Sequence, residues 1–117
     1  MTMDQVDVTA IIVNYNTREL LAPCVDALRA GAGALRLQII IVDNGSRDGS
    51  QDLLRSEFGA CEVIFNVENV GFGRAVNQGA RVAKGEYLLI LNPDVVPEAG
   101  ALERVSTPRG RRSARPR

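Results

Sequence analysis

The run Tyr87-Leu-Leu-Ile-Leu91 is apolar without interruption, and Asn92, Pro93 and Asp94 follow it at once. A run of this kind reads as a strand buried on both faces, which is what a parallel sheet covered by helices requires. Asn92-Pro-Asp94 is turn chemistry, and it places one carboxylate just past the strand's carboxyl end. Open α/β sheets bind their ligands at that end.

The preceding chain repeats the pattern. Val8 to Val13 is rich in β-branched residues and reads as a first buried strand, ending in Asn14-Tyr15-Asn16. Thr17 is placed to cap a helix with Glu19 in its first turn. Leu21, Cys24, Val25 and Leu28 carry that helix's apolar face, Pro23 predicts a kink or restart within it, and Gly31 and Gly33 end it. Leu37 to Val42 is the second strand, running into Asp43-Asn-Gly-Ser-Arg-Asp-Gly49 with Ser46 and Asp48 as possible caps. Leu53, Leu54 and Phe58 form the apolar face of a short helix that Gly59 stops, and Glu62 to Asn66 is a weaker third strand.

From Phe72 onward, Ala75, Val76, Gly79, Ala80 and Ala83 complete a helical stripe of mostly small residues, so this helix is expected close against its sheet. Strand and helix in alternation predict an α/β fold with parallel pairing through right-handed crossovers. Pro97 to Val105 looks like the opening of another helix. Residues 106–117 have no apolar periodicity and read as a disordered Arg-rich tail.

The 117 residues suffice for one small domain with one core. Before Ser106, nine basic residues stand against fourteen acidic ones, a net −5, and five arginines follow it. A body this acidic argues against nucleic acid as a partner. Cys24 and Cys61 read as two reduced thiols rather than a disulfide or metal framework. The polar, acidic start is no secretory signal, and no apolar run approaches the roughly 20 residues of a membrane span. The expectation is therefore a cytoplasmic chain, compatible with a place at the inner face of the membrane. With no histidine present, any proton transfer must use a carboxylate, Lys84, a tyrosine or the substrate.

Set side by side, the strand ends bring Asn14, Tyr15 and Asn16, then Asp43 and Asn44, then Glu68 and Asn69, then Asn92 and Asp94 to one edge. A ring to stack on, amides and carboxylates for a base edge, and a carboxylate for a metal together suit a nucleotide. A dinucleotide-binding oxidoreductase would need a Gly-rich turn after the first strand. Asn14-Tyr-Asn-Thr-Arg-Glu19 has no glycine, Gly71, Gly73 and Gly79 lack the required spacing, and no Walker motif is present. Each candidate also has a plain structural use. Asp94 and Asp43 suit turns and caps, Tyr15 a packed ring, and Arg74 a solvated helix face. Asn69, Gly71 and Gly73 suit the backbone geometry of a turn.

Four segments together, Ile-Ile-Val-Asn-Tyr-Asn16, Ile-Val-Asp-Asn-Gly-Ser-Arg-Asp48, Asn-Val-Gly-Phe-Gly-Arg-Ala-Val-Asn77 and Leu-Asn-Pro-Asp94, resemble family 2 glycosyltransferases. The fold this implies is α/β, the parallel-sheet, Rossmann-like nucleotide-diphospho-sugar transferase (GT-A) fold. The likeness spans roughly residues 8 to 104 and is greatest to the rhamnosyltransferase-like branch, which uses Asn-x-Asp where others have Asp-x-Asp.

The resemblance implies transfer of a sugar, with inversion, from a dTDP- or UDP-sugar donor to an acceptor hydroxyl. It implies a glycan or lipid-linked acceptor in a full-length parent, as in polysaccharide biosynthesis. Carried over, Tyr15 packs on the base, Asp43 accepts from the pyrimidine imide, and Arg74 faces the phosphates. Asp94 holds Mg²⁺ or Mn²⁺, and Asn14, Asn16, Asn69, Gly71 and Asn92 complete the donor site. Asn92 in place of a carboxylate leaves the metal one charge fewer.

The family's acceptor site and catalytic base follow the metal motif, where this chain has only Glu98 and Glu103, in no recognisable base motif. The expectation is thus a partial GT-A domain over residues 1–105, truncated after the fourth strand, with little or no turnover on its own. The alternative expectation is a catalytically dead nucleotide-binding or interaction module.

Overall fold

The computed structural model describes residues 5–94. The expectations for residues 1–4, for a helix opening over 97–105 and for the 106–117 tail lie outside them. In chain order the elements are β1 (Val6–Asn14), α1 (Arg18–Ala32), β2 (Leu37–Asn44), α2 (Ser50–Glu57), β3 (Glu62–Asn66), α3 (Phe72–Val82) and β4 (Gly85–Leu91). The four strands form one sheet in the order β3-β2-β1-β4, with every pair parallel.

Right-handed crossovers that first step outward from β1 to β3 and then return to β4 place α1 and α2 on one face and α3 on the other. The core divides accordingly. Val8, Ala10 and Ile12 of β1 and Ile39 and Ile41 of β2 pack with Leu21, Cys24, Val25, Leu28, Leu54 and Phe58. The alternate residues Ile11, Val13, Ile40 and Val42 pack with Ala75 of α3. A period of two sends successive side chains to opposite faces, so β1 and β2 are buried twice over, as their unbroken apolar runs require.

The small-residue stripe of α3 sets how closely that helix lies. A Cβ built on Gly79 would stand 2.8 Å from Ile11 Cγ2, so only glycine fits there without movement. The far end of the sheet is tied by a buried polar cluster. Thr9 Oγ1–H donates to Gln38 Oε1 (2.6 Å), the Lys84 N–H to the same oxygen (2.8 Å), and the Gly85 N–H to Thr9 Oγ1 (2.8 Å). These bonds fix where α3 hands over to β4.

Some local expectations are corrected. α1 runs through Pro23 as one helix rather than restarting there. Thr17 is its N-cap position but makes no side-chain capping bond, since its hydroxyl donates to Asn14 Oδ1 instead. β1 and β2 each extend further than the apolar runs, to Asn14 and Asn44. Phe72, expected in the packed stripe, is 49% exposed.

One substitution made twice in α3 tests this packing. Gly73 has open space around its Cβ position, so Gly73→Ala is expected to raise stability by about 0.5–1 kcal/mol through helix propensity. Gly79→Ala must displace Ile11 and is expected to lower it by about 1–2 kcal/mol net. Urea midpoints read both, and a gain in both variants contradicts the close approach of α3 to β1.

Candidate donor-binding site

A cleft of about 440 Å³ opens at the carboxyl ends of β1, β2 and β4. Val13, Tyr15, Thr17 and Leu20 bound it from β1 and the start of α1. Asn44, Asn69 and Phe72 come from the end of β2, the loop after β3 and the start of α3. Asn92, Pro93 and Asp94 close it after β4. An apolar floor with a few convergent polar groups is the usual make-up of a small-molecule site. Of the site residues expected from sequence, the structure brings Tyr15, Asn69, Asn92 and Asp94 together on this wall. Asn92 and Asp94 are exposed and Tyr15 is half-exposed.

Asn14 and Asp43 lie beneath the cleft, each with no exposed surface. They are partners in register, Asn14 on β1 facing Asp43 on β2. Asp43 Oδ1 accepts from Asn14 Nδ2 (2.8 Å) and from the Ser46 hydroxyl (2.7 Å). Its Oδ2 accepts from the Ser46 N–H (3.0 Å) and from Gln51 Nε2 (2.9 Å). Both oxygens are thus filled from within the chain, as a buried carboxyl group demands. The base contact expected of Asp43 does not fit this arrangement. Strand β2 is still pleated at position 43, so Asp43 points to the α1/α2 face with Ile39 and Ile41.

The next residue, Asn44, points to the other face and lines the cleft. Its amide holds the loop before α3. Nδ2 donates to the Gly71 carbonyl (3.2 Å), and Oδ1 accepts from the Val70 N–H (3.1 Å) and from Asn66 Nδ2 (3.1 Å). Asn69 Oδ1 accepts from the Gly71 N–H (2.8 Å), and Gly71 itself takes a φ of +93°, which glycine tolerates. Gly45 underpins the same loop. It has a φ of +79°, and a Cβ there would lie 2.7 Å from Glu68 Cα.

Asn16, Gly71 and Arg74 are not on the cleft wall. Asn16, at φ +53°, ties two loops together. Its N–H donates to Ser46 Oγ (2.9 Å), and its Oδ1 accepts from the Arg47 N–H (2.8 Å). It borders a second groove with Arg18 and Asp48. Arg74 is exposed on the first turn of α3.

Asp48 takes the place Thr17 was expected to fill. Its Oδ2 accepts from the Arg18 N–H at the start of α1 (2.9 Å), and its Oδ1 from the Ser50 N–H (3.0 Å) and hydroxyl (2.6 Å) at the start of α2. Burial alone works to raise its pKa, but the bonds from Ser50 and Arg18 outweigh it and hold the group below its ordinary value. One carboxylate therefore caps two helices. Burial, with the charge of Asp94 adding to it, pushes the Cys24 thiol up to about 11, so at neutral pH it stays protonated and unreactive. Neither cysteine is in a disulfide.

Among the described residues no three His, Cys, Asp or Glu side chains gather to hold a metal. Asp94 with Asn92 beside it is a set of one carboxylate and one amide. That fits a hard divalent cation only if a bound diphosphate supplies further oxygens, as is usual for Mg²⁺ sites of this kind. No described helix is long and apolar enough to cross a membrane.

Two variants separate support from contact. Asp43→Ala orphans donors of Asn14, Ser46 and Gln51 and is expected to cost about 3 kcal/mol in urea unfolding; unchanged stability contradicts the network. Asp48→Ala is expected to cost about 1–2 kcal/mol at pH 7. The depressed pKa of Asp48 makes that contribution complete above its unfolded value of about 3.9, and it fades as pH falls through the lower folded value. A gap between wild type and Asp48→Ala that widens on acidification contradicts this sign.

Comparison with known proteins agrees with the geometry. Glycosyltransferase AglE of Haloferax volcanii is 31% identical over 105 residues, 86% of this chain and 34% of AglE. Mannosyltransferase PcManGT of Pyrobaculum calidifontis, solved in complex with GDP-Man and Mn²⁺, superposes with a TM-score of 0.73 at 25% identity. The match covers 85% of this chain and 30% of that one. TarS of S. aureus superposes at 0.74 with 18% identity, over 86% of this chain and 31% of TarS, and shows the fold alone. The chain thus spans about a third of the length of these proteins, and its parallel α/β sheet is the GT-A arrangement. A profile of glycosyl transferase family 2 matches residues 9–108, taking in the sheet from Thr9 of β1 onward together with the cleft, and the chain belongs to that family.

Proposed function

We propose that this chain is the donor-binding part of an inverting glycosyltransferase of the rhamnosyltransferase-like kind. It takes a nucleoside-diphosphate-sugar, dTDP- or UDP-linked, and delivers the sugar to a hydroxyl of a glycan or lipid-linked acceptor. The observation that carries this reading is the meeting of Tyr15, Asn69, Asn92 and Asp94 on one cleft at the strand ends. Support comes from PcManGT, a fold neighbour whose structure holds GDP-Man and Mn²⁺.

In this reading Tyr15 packs its half-exposed ring on the base. Asn69 and Asn92 offer amide donors and acceptors to the ribose and phosphates. Asp94 is the residue that would hold Mg²⁺ or Mn²⁺, with Asn92 beside it. Such an ion, when bound, neutralises charge on the leaving diphosphate as a Lewis acid. Arg74 meets the phosphates from outside the cleft. Asp43 and Asn14 contribute by fixing the strand tips rather than by touching the donor. The isolated chain is expected to bind donor without turnover.

Calorimetric titration with dTDP and UDP, each with and without Mn²⁺, tests the reading. Binding is expected to tighten with the metal. Asp94→Ala is expected to lose that gain, about tenfold or roughly 1.4 kcal/mol. Metal-independent binding, or an Asp94→Ala variant that keeps the full metal effect, would rule it out. Glycosyl transfer by the isolated chain would contradict the expected lack of turnover.

A further inference from the structure

Phe72 stands at the head of the α3 stripe, where the period demands burial against the sheet. Ala75, three residues on, is fully buried, yet Phe72 is 49% exposed. The sheet has ended beneath it. β1 stops at Asn14 and β2 at Asn44, and Phe72 in the first turn of α3 lines the cleft with Val13 and Asn44 at those ends. There the ring lines the same cleft as Tyr15, which is also 49% exposed. Tyr15 follows β1 and Phe72 opens α3, so the two rings reach the cleft from different elements.

The chain fixes Phe72 in this position. Asn44 holds the Val70 N–H and the Gly71 carbonyl, and Asn69 holds the Gly71 N–H, immediately before the ring. Gly45 packs against the Glu68 backbone in the same loop. A large apolar ring held at the rim of a cleft and not buried by the fold is available to a ligand. With a second ring on the same cleft, the ligand best matched is flat and aromatic.

We infer that Phe72 is a specificity-determining contact of the donor cleft, a second aromatic wall that with Tyr15 holds the base and so favours a nucleoside diphosphate over a bare diphosphate. This rests on the donor reading above. The polar residues at the β4 end, Asn92 and Asp94, are left to the phosphates, so base and phosphate contributions are separable.

The test compares UDP with inorganic pyrophosphate, both with Mn²⁺, on the full chain and on two variants. Phe72→Ala is expected to weaken UDP about tenfold, the scale of one stacking contact, and to leave pyrophosphate unchanged. Phe72→Trp is expected to keep UDP affinity. Because the sequence has no tryptophan, its fluorescence reports the site alone, quenched by UDP and not by pyrophosphate. Unchanged UDP affinity in Phe72→Ala overturns the inference and leaves the donor reading standing. Equal losses for both ligands also overturn it, because the damage then lies in the fold or the phosphate end. Failure of the wild-type chain to bind UDP removes the donor reading and this inference together.

Discussion

A buried carboxyl group, that of Asp43, organises the upper end of this molecule. It has no exposed surface and accepts from Asn14, twice from Ser46, and from Gln51. Those donors sit on β1, on the loop after β2 and on α2. An apolar sheet has no preference of its own for where its strands end, because hydrophobic burial is non-directional. Directional bonds to a buried acceptor supply that preference, since each donor left unpaired costs its desolvation. The network continues through Asn14 to Thr17, through Ser46 to Asn16, and beside it Asp48 joins the first turns of α1 and α2.

This divides labour between the two sides of each strand tip. Asn14 and Asp43, pointing toward α1 and α2, are used up in holding the tips together. Asn44 points the other way and fastens the loop that carries Asn69 and Phe72. The cleft walls therefore stand on segments whose own polar groups are already satisfied, and no described buried side-chain nitrogen or oxygen lacks a partner. A site preorganised in this way spends little of a ligand's binding energy on ordering its walls. Gly79 on Ile11 sets the close seating of α3 against β1, and Phe72 in the first turn of that helix lines the cleft.

Much of this was legible in the residues. The unbroken apolar runs of β1 and β2 are buried on both faces, and the alternation of strand and helix gives the parallel order. The run Tyr87 to Leu91 was expected to be buried in the same way, but β4 lies at the sheet edge, so Tyr87 and Leu91 are buried while Leu88, Leu89 and Ile90 are only half-buried. The convergence of Tyr15, Asn69, Asn92 and Asp94 on one cleft was readable because each follows a strand. Asp43 was misread for a definite reason. Val42 is the last apolar residue of its run, but the hydrogen-bond ladder continues two residues further. Residue 43 thus obeys the pleat, and only its neighbour faces the cleft. Phe72 was misread for the converse reason, because helical periodicity says which face a residue takes and not whether a sheet still lies beneath it. The bonds of Asp48 to the start of α2 were readable in the local turn, but its capping of α1, thirty residues away at Arg18, has no local signature.

The central claim is that the strand tips present one cleft that takes a metal-bridged nucleoside diphosphate. At 12.6 kDa the chain suits amide-resolved NMR, and the paramagnetism of Mn²⁺ broadens resonances near it. With UDP and Mn²⁺ added, broadening is expected to centre on Asn92 and Asp94. Shifts are expected at Tyr15, Asn44, Asn69 and Phe72, with silence at Arg36, Gln38 and Lys84 at the opposite end of the sheet. Broadening centred on that opposite end, or shifts confined to the groove beside Asn16 and Asp48, would contradict it.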